Sequence, residues 1–392
     1  MFRASLLRAG RLALTRSRVT IAAASIAAGT TTAAYCDPAS FDACMVLVEN
    51  GRGDWTWQPR PAAPKAAPKL PASTARTPAP IVQEPCVFTK PVTVVDTPGI
   101  TIKEFFGIVA SKDGTASFAL ADVHRADEAA FQAPRFAEYV VITKGSLDLH
   151  TVHADGAQLT KTHVAEGEGV YLPAGLRVKW SWPEPCQYTV VCVPAFSPLT
   201  AGSDLAAEGG PDTVIDSATR TQLAQMHNSA GIRASAPRHQ ALMVLSELPA
   251  GLTPLVVKPV AVVEAPGITI HEHFGNVASH DAAASLGRAV VKGPAQEAWQ
   301  TPGFDEFVIC TKGSIEFYYG DGKSKSISAG QGIFLPNHLR VKWVWPEATD
   351  YTVLCLPAFT PELCGREAEE SATNAKDSAS MERLQRLHAE RS

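Results

Sequence analysis

Downstream of residue 86 the chain is written in short runs where apolar and β-branched residues dominate and turn residues interrupt. GITIKEFFG (99–107), EYVVITKGSL (138–147), GVYLPAGLRVKWSW (169–182) and YTVVCVPAF (188–196) are rich in Val, Ile, Tyr, Phe, Trp and Thr. Gly, Pro and Asp separate them, a pattern that predicts strands bounded by turns. Two segments break the pattern with helical spacing, DSATRTQLAQMH (216–227) and DSASMERLQRLH (377–388). In each, a pair of apolar residues three apart (Leu223 and Met226; Leu384 and Leu387) shares one helical face, and the leading Asp and Ser offer N-cap oxygens.

The runs occur twice. Lys90–Ser111 matches Lys258–Ser279 at 16 of 22 positions, Phe136–Leu147 matches Phe304–Ile315 at 7 of 12, and Tyr171–Pro198 matches Phe334–Pro361 at 18 of 28. The offset shortens by five residues in the turn region after Gly145 and Gly313, and length variation of that kind marks a loop. A fainter match, Ala43–Leu47 against Ala241–Leu245, suggests an opening strand in each copy. The repeat predicts two all-β domains of barrel or sandwich size, each ending in a packed helix. The expected boundaries are 87–200 for the first domain, 201–240 for a helical inter-domain segment, 241–364 for the second domain and 365–392 for the C-terminal helix.

Upstream the composition changes. Met1–Cys36 holds Arg3, Arg8, Arg11, Arg16 and Arg18 and no acidic residue, as organellar transit peptides do. Residues 19–35 lack charge and form an alternative weak membrane anchor, although they are short and built mostly of Ala and Thr. Residues 37–86 form an extension in which Pro59–Pro85 carries eight prolines in 27 residues, the composition of a semi-rigid linker. The expected location is mitochondrial, in matrix or intermembrane space, with a plastid as the alternative. Membrane association is expected only if 19–35 is retained. The whole chain of 392 residues has 35 basic and 39 acidic residues, a balance without the basic footprint of a nucleic-acid binder. Its eight cysteines include no CxxC pair, which argues against a zinc ribbon or a disulfide scaffold.

The repeated residues resemble the cupin superfamily, and the chain from about Val87 onward is similar to a bicupin of ethanolamine-utilisation or ureidoglycine-aminohydrolase-like type. The Glu and Gly of the family's first motif stand at Glu138 with Gly145 and at Glu306 with Gly313. The second motif is represented by Gly167, Pro173 and Gly175, then by Gly330 and Pro336, with His338 in the glycine place. The resemblance implies two tandem jelly-roll-like β-barrels. It also implies interior metal ligands, and those are missing. The His-x-His places fall in residues 131–134 and 299–302, Val178 and Val341 occupy the second-motif His position, and Trp182 and Trp345 the Asn position.

Val178, Trp180 and Trp182, like Val341, Trp343 and Trp345, alternate along a strand and share a face. If that face points inward, indoles fill the metal's space and the pocket becomes apolar and aromatic, with Glu138 or Glu306 at its wall. A one-residue shift would instead aim Arg177 and Lys179 at the glutamate. The glutamates are thus either desolvated acids that bind a hydroxyl or amine or act in proton transfer, or strand-end partners of a nearby cation. The tryptophans are either core or a stacking platform. His271 and His273 have ligand spacing but lie more than 30 residues before Glu306 and lack a third ligand. His150 with His153, and His227 with its repeat partner His388, rank below them. Cys192 and Cys355 are expected to be buried, inert thiols.

The function expected from these residues is a non-catalytic, metal-less bicupin without a cofactor, acting as a small-ligand-binding or structural accessory subunit of a mitochondrial assembly. Protein partners or a homo-oligomer, and a small polar ligand, are implied. The alternative is a cupin enzyme, metal-independent or with unusual ligands, acting on a small polar metabolite.

Overall fold

The computed structural model describes residues 86–152, 159–202, 215–231, 252–320, 322–368 and 376–390, together with three backbone strands nearer the N terminus. The chain divides into two compact units at Ile81 and Val82. In the N-terminal unit, Ala34–Cys36, Cys44–Glu49 and Trp55–Pro59 form a three-stranded antiparallel sheet in chain order. Residues 1–33, which include nearly all of the expected targeting segment, and most of the proline-rich linker lie outside the described residues. So do residues 241–245 and His153.

The C-terminal unit consists of two tandem jelly-roll-like β-barrels, each followed by a helix. In the first, a seven-stranded antiparallel sheet runs Leu255–Val257, Gly169–Leu172, Ala137–Lys144, Cys186–Val193, Ser117–Val123, Ile100–Phe106, Val92–Asp96. A four-stranded sheet of Leu159–Val164, Leu147–Val152, Val178–Trp182 and Asp127–Glu128 faces it. The second barrel repeats the plan. Val87–Thr89, Gln331–Leu335, Asp305–Lys312, Thr349–Leu356, Ser285–Val291, Ile268–Phe274 and Val260–Glu264 form the large sheet, and Lys323–Ser328, Ser314–Tyr319, Val341–Trp345 and Ala295–Gln296 the small one.

The barrels exchange their first strands. Val87–Thr89, which opens the first copy in sequence, pairs with Gly332–Phe334 of the second barrel, and Leu255–Val257 pairs with Gly169–Tyr171 of the first. Neither strand follows the boundaries drawn along the sequence. The exchange brings the barrels so close that a Cβ at Gly169 would lie 2.7 Å from Phe274 Cζ, and one at Gly332 would lie 2.8 Å from Phe106 Cζ. Between the barrels lies an apolar cluster that includes Phe106, Phe118, Tyr139, Phe274, Phe307 and Phe334. Phe106 meets Phe307 edge-on at 5.3 Å, and their repeat counterparts Phe274 and Tyr139 meet in the same way at 5.3 Å. The duplicated halves therefore pack as an isologous dimer within one chain.

The helices lie where the spacing predicts. Ser217–Ala230 and Ser378–Ala389 are capped by Asp216 and Asp377, whose carboxylates accept from Thr219 N and Ser380 N at 2.8 Å. Leu223 and Leu384 carry the apolar faces into the cores of the first and second barrels. Arg383 fastens the second helix, with Nη1 2.6 Å from Glu264 and Nη2 donating to Ala261 O at 2.7 Å. His227 and His388 are buried edge-on against Phe196 and Phe359, which makes them helix-packing residues. Among the described residues no helix is long and apolar enough to cross a membrane.

Candidate functional site

Strand alternation decides the facing of the repeated Trp segment. Val178, Trp180 and Trp182 are buried while Lys179 and Ser181 are less so, and the same alternation holds for Val341 to Trp345. The two indoles and Val of each copy point into the barrel from the small sheet. The cations of the shifted register are engaged elsewhere. Lys179 pairs with Glu128 at 2.7 Å, Arg177 stands over the Phe131 ring at 4.4 Å, and Arg340 stands over Trp299 at 4.0 Å.

From the large sheet, Glu138 and Glu306 reach the same interiors. Each is buried, and its Oε2 has no hydrogen-bond partner among the described residues. Burial alone pushes the Glu138 carboxyl up to about 8. Burial likewise raises Glu306 to about 8, against a smaller opposing pull from Lys376. Both are neutral carboxylic acids at pH 7, because an isolated charge there would lose its hydration without a compensating partner. A tyrosine completes each wall. Tyr188 stacks on Trp182 at 6.3 Å, and Tyr351 on Trp345 at 6.0 Å. Both tyrosines were legible in the repeated YTVxC strand, two residues from an inward-facing neighbour, but an alternation rule for that strand was needed to find them. The indole Nε1 of Trp180, Trp182, Trp343 and Trp345 is also buried without a partner among the described residues.

In the second barrel these groups border a cavity of about 100 Å³. Its wall adds side chains absent from the sequence-based expectation: Glu297, Gln300, Cys364 and Lys376. Glu297 is buried and bound by two cations, Arg366 through Nη1 and Lys376 through Nζ at 3.0 Å. Gln300, in the lost His-x-His segment, accepts from Cys364 Sγ at 3.2 Å. The signal that could have found Glu297 and Lys376 is a difference between copies, since the first has Ala129 and Ile215 in their places.

His271 and His273 are not part of this interior. Ile270 and Glu272, their neighbours on Ile268–Phe274, line the cavity, so the two imidazoles belong to the other side of the sheet. Burial first, then His271 and Arg288, lowers His273 to about 4. Among the described residues no three His, Cys, Asp or Glu side chains are grouped so as to hold a metal ion. The interior donors also do not fit the divalent ion that a cupin-type site implies. The first barrel offers one neutral carboxyl amid Val and indole; in the second, the added Glu297 and Glu272 are already held by Arg366 and Lys376 and by the Val277–Ala278 turn, and an indole N–H donates only.

Glu104 and Glu272, which sequence reading passed over, have a structural task. Glu104 Oε1 accepts from Val109 N and Ala110 N at 2.8 and 2.7 Å, and Glu272 Oε1 accepts from Val277 N and Ala278 N at 2.8 Å. The repeated E-x-F-G-x-V-A-S pattern is thus a carboxylate-closed turn. Cys192 and Cys355 are buried, and desolvation holds both thiols well above their ordinary range.

No family model matches the chain. Among solved structures it is similar to oxalate decarboxylase variants from Bacillus subtilis. One is 14% identical with a TM-score of 0.47, covering 69% of this chain and 77% of that one. Another is 13% identical with a TM-score of 0.48 over the same shares. At this identity and TM-score nothing of those enzymes' activity transfers. A curated relative, endoribonuclease YbeY from Myxococcus xanthus, is 34% identical over 103 residues, or 26% of this chain and 35% of that protein. The chain thus spans about a third of that relative's length. Its nuclease activity stays with that protein.

Proposed function

We propose that the chain is a non-catalytic bicupin that binds a small polar ligand in a barrel interior and serves as an accessory subunit of a larger mitochondrial assembly. One observation carries this reading: in both barrels no His stands at the family's ligand places, which fall in 131–134, 299–302, Val178 and Val341, while the remaining glutamate is a neutral acid without a partner among the described residues. Such an interior retains polar atoms that a ligand or water must satisfy, since buried polar groups without partners are costly. The arginine-rich N terminus and the proline-rich tether support an organellar location and attachment to partners. The expected outcome is co-migration with a large complex in native electrophoresis of mild-detergent mitochondrial extracts. Migration at the mass of the single chain would overturn the accessory role.

A second reading, a metal-independent enzyme, is favoured by Glu306 alone. Its carboxyl is raised to about 8 beside a cavity, within the range of a general acid. Turnover of a carbonyl or amine substrate that is lost in Glu306→Gln would establish it.

A further inference from the structure

The two barrels share the Glu–Trp–Trp–Tyr set, yet the second adds charge to it. Ala129 and Ile215 pack onto the apolar core of the first barrel. Their counterparts Glu297 and Lys376 instead meet 3.0 Å apart in the second, with Arg366 closing the cluster. The positions correspond in space as well as in sequence, because Ala129 N donates to Trp180 O at 2.9 Å and Glu297 N donates to Trp343 O at 2.8 Å. Buried charge clusters are poor sources of stability compared with apolar packing, and the first barrel shows that an apolar solution fits this framework. The charges therefore point to a ligand.

The chemistry of the cavity selects its class. The buried N–H groups of Trp343 and Trp345 can only donate, the neutral Glu306 carboxyl holds a proton to donate, and Lys376 is an ammonium at the wall. Glu297 is occupied by Arg366 and Lys376, and Glu272 by its turn. A molecule that satisfies these donors brings acceptor oxygens. The cavity, about 100 Å³, lies between the ~30 Å³ share of one water and the ~150 Å³ of a cavity that admits benzene.

We propose that the second barrel, and not the first, binds a small carboxylate anion of about four or five non-hydrogen atoms, its oxygens accepting from Trp343, Trp345, Glu306 and Lys376. The proposal rests on reading a barrel interior as a ligand site, and it names which barrel and which ligand. The groups facing Glu306 are Lys376, Glu297, Glu272, Tyr351, Cys355 and Cys364. Burial keeps the thiols and the phenol neutral. Binding therefore requires the Glu306 proton, and affinity falls about tenfold per pH unit once pH exceeds the Glu306 value of about 8.

The test is calorimetry and tryptophan fluorescence of the full chain with acetate and glycolate, and with ethanolamine as the amine control, from pH 6 to 9.5. The expected result is one carboxylate per chain, an affinity that falls above about pH 8, and at least a tenfold loss in the Glu297→Gln/Lys376→Met double variant. The wild-type pH profile decides the matter even if that variant does not fold. Two sites per chain, an affinity that rises with pH, or no carboxylate binding at about 10 mM would each overturn the proposal. Ethanolamine binding in place of carboxylate would overturn it while leaving a ligand site. Turnover of a bound carboxylate would instead refute the non-catalytic reading and leave the ligand class intact.

Discussion

Replacing Glu138 with Gln is expected to stabilise the protein at neutral pH and to change it little near pH 4.5. The Glu138 carboxyl titrates at about 8 in the folded chain against an ordinary 4.5, with burial as the cause. A group raised in this way gives its full stability below the unfolded value and loses it as pH rises toward the folded one. Between pH 4.5 and pH 7 the unfolded chain releases a proton that the folded chain keeps. At about 1.4 kcal/mol per pH unit the carboxyl costs about 3 kcal/mol of stability at pH 7. Gln keeps the shape and cannot ionise, so the stability difference between variant and wild type should grow by about 2–3 kcal/mol from pH 5 to pH 7 and level off above about 8. Urea unfolding of both proteins at several pH values measures that difference, and any constant cost of the new amide cancels in the pH dependence. A difference flat with pH, or one in which the variant becomes progressively less stable, would refute the reasoning. The second outcome would mean that Glu138 is ionised and paired, contrary to the positions of Arg177 and Lys179.

Tyr139→Phe removes the hydroxyl that donates to Asp281 Oδ2 at 2.7 Å across the two barrels, and urea unfolding should show a loss of about 1–3 kcal/mol. Gly275→Ala places a Cβ 2.7 Å from the Glu272 carboxyl carbon at a φ of +142°, so its melting transition should drop by the equivalent of about 1–3 kcal/mol. Gly287→Ala, whose nearest such neighbour lies at 3.5 Å, should cost less. Burial lowers the His388 imidazole from its ordinary 6.5. Below that pH the unfolded segment gains a proton that the folded one resists, so Ser378–Ala389 should lose hydrogen-exchange protection as pH falls from 7 to 5, and His388→Gln should abolish the change.

Much of the fold was legible because it depends on local rules. β-Branched and aromatic runs between turn residues marked the strands, Asp216 and Asp377 marked the helix starts, and the repeat marked two equivalent barrels. The candidate interior was legible to the same depth, since alternation alone puts Val178, Trp180 and Trp182 on one face. Which face turned inward was not, because a one-residue slip exchanges indoles for cations and only packing against the opposite sheet distinguishes them.

By itself the sequence determined the duplication, the strand character of each copy, the capped helices and the presence of a Glu and two Trp beside Val178 or Val341, where the resembled metal site would place an imidazole. Only the tertiary structure decided that Val87–Thr89 and Leu255–Val257 pair across the barrels, since strand partners far apart in sequence are selected by the edge and the apolar surface they meet. It also decided that Glu138 and Glu306 are neutral acids, because desolvation depends on everything packed around a carboxyl. The charged cluster of Glu297, Arg366 and Lys376 appears only when a C-terminal segment 69 or more residues further along folds back beside Glu297, which no local pattern encodes.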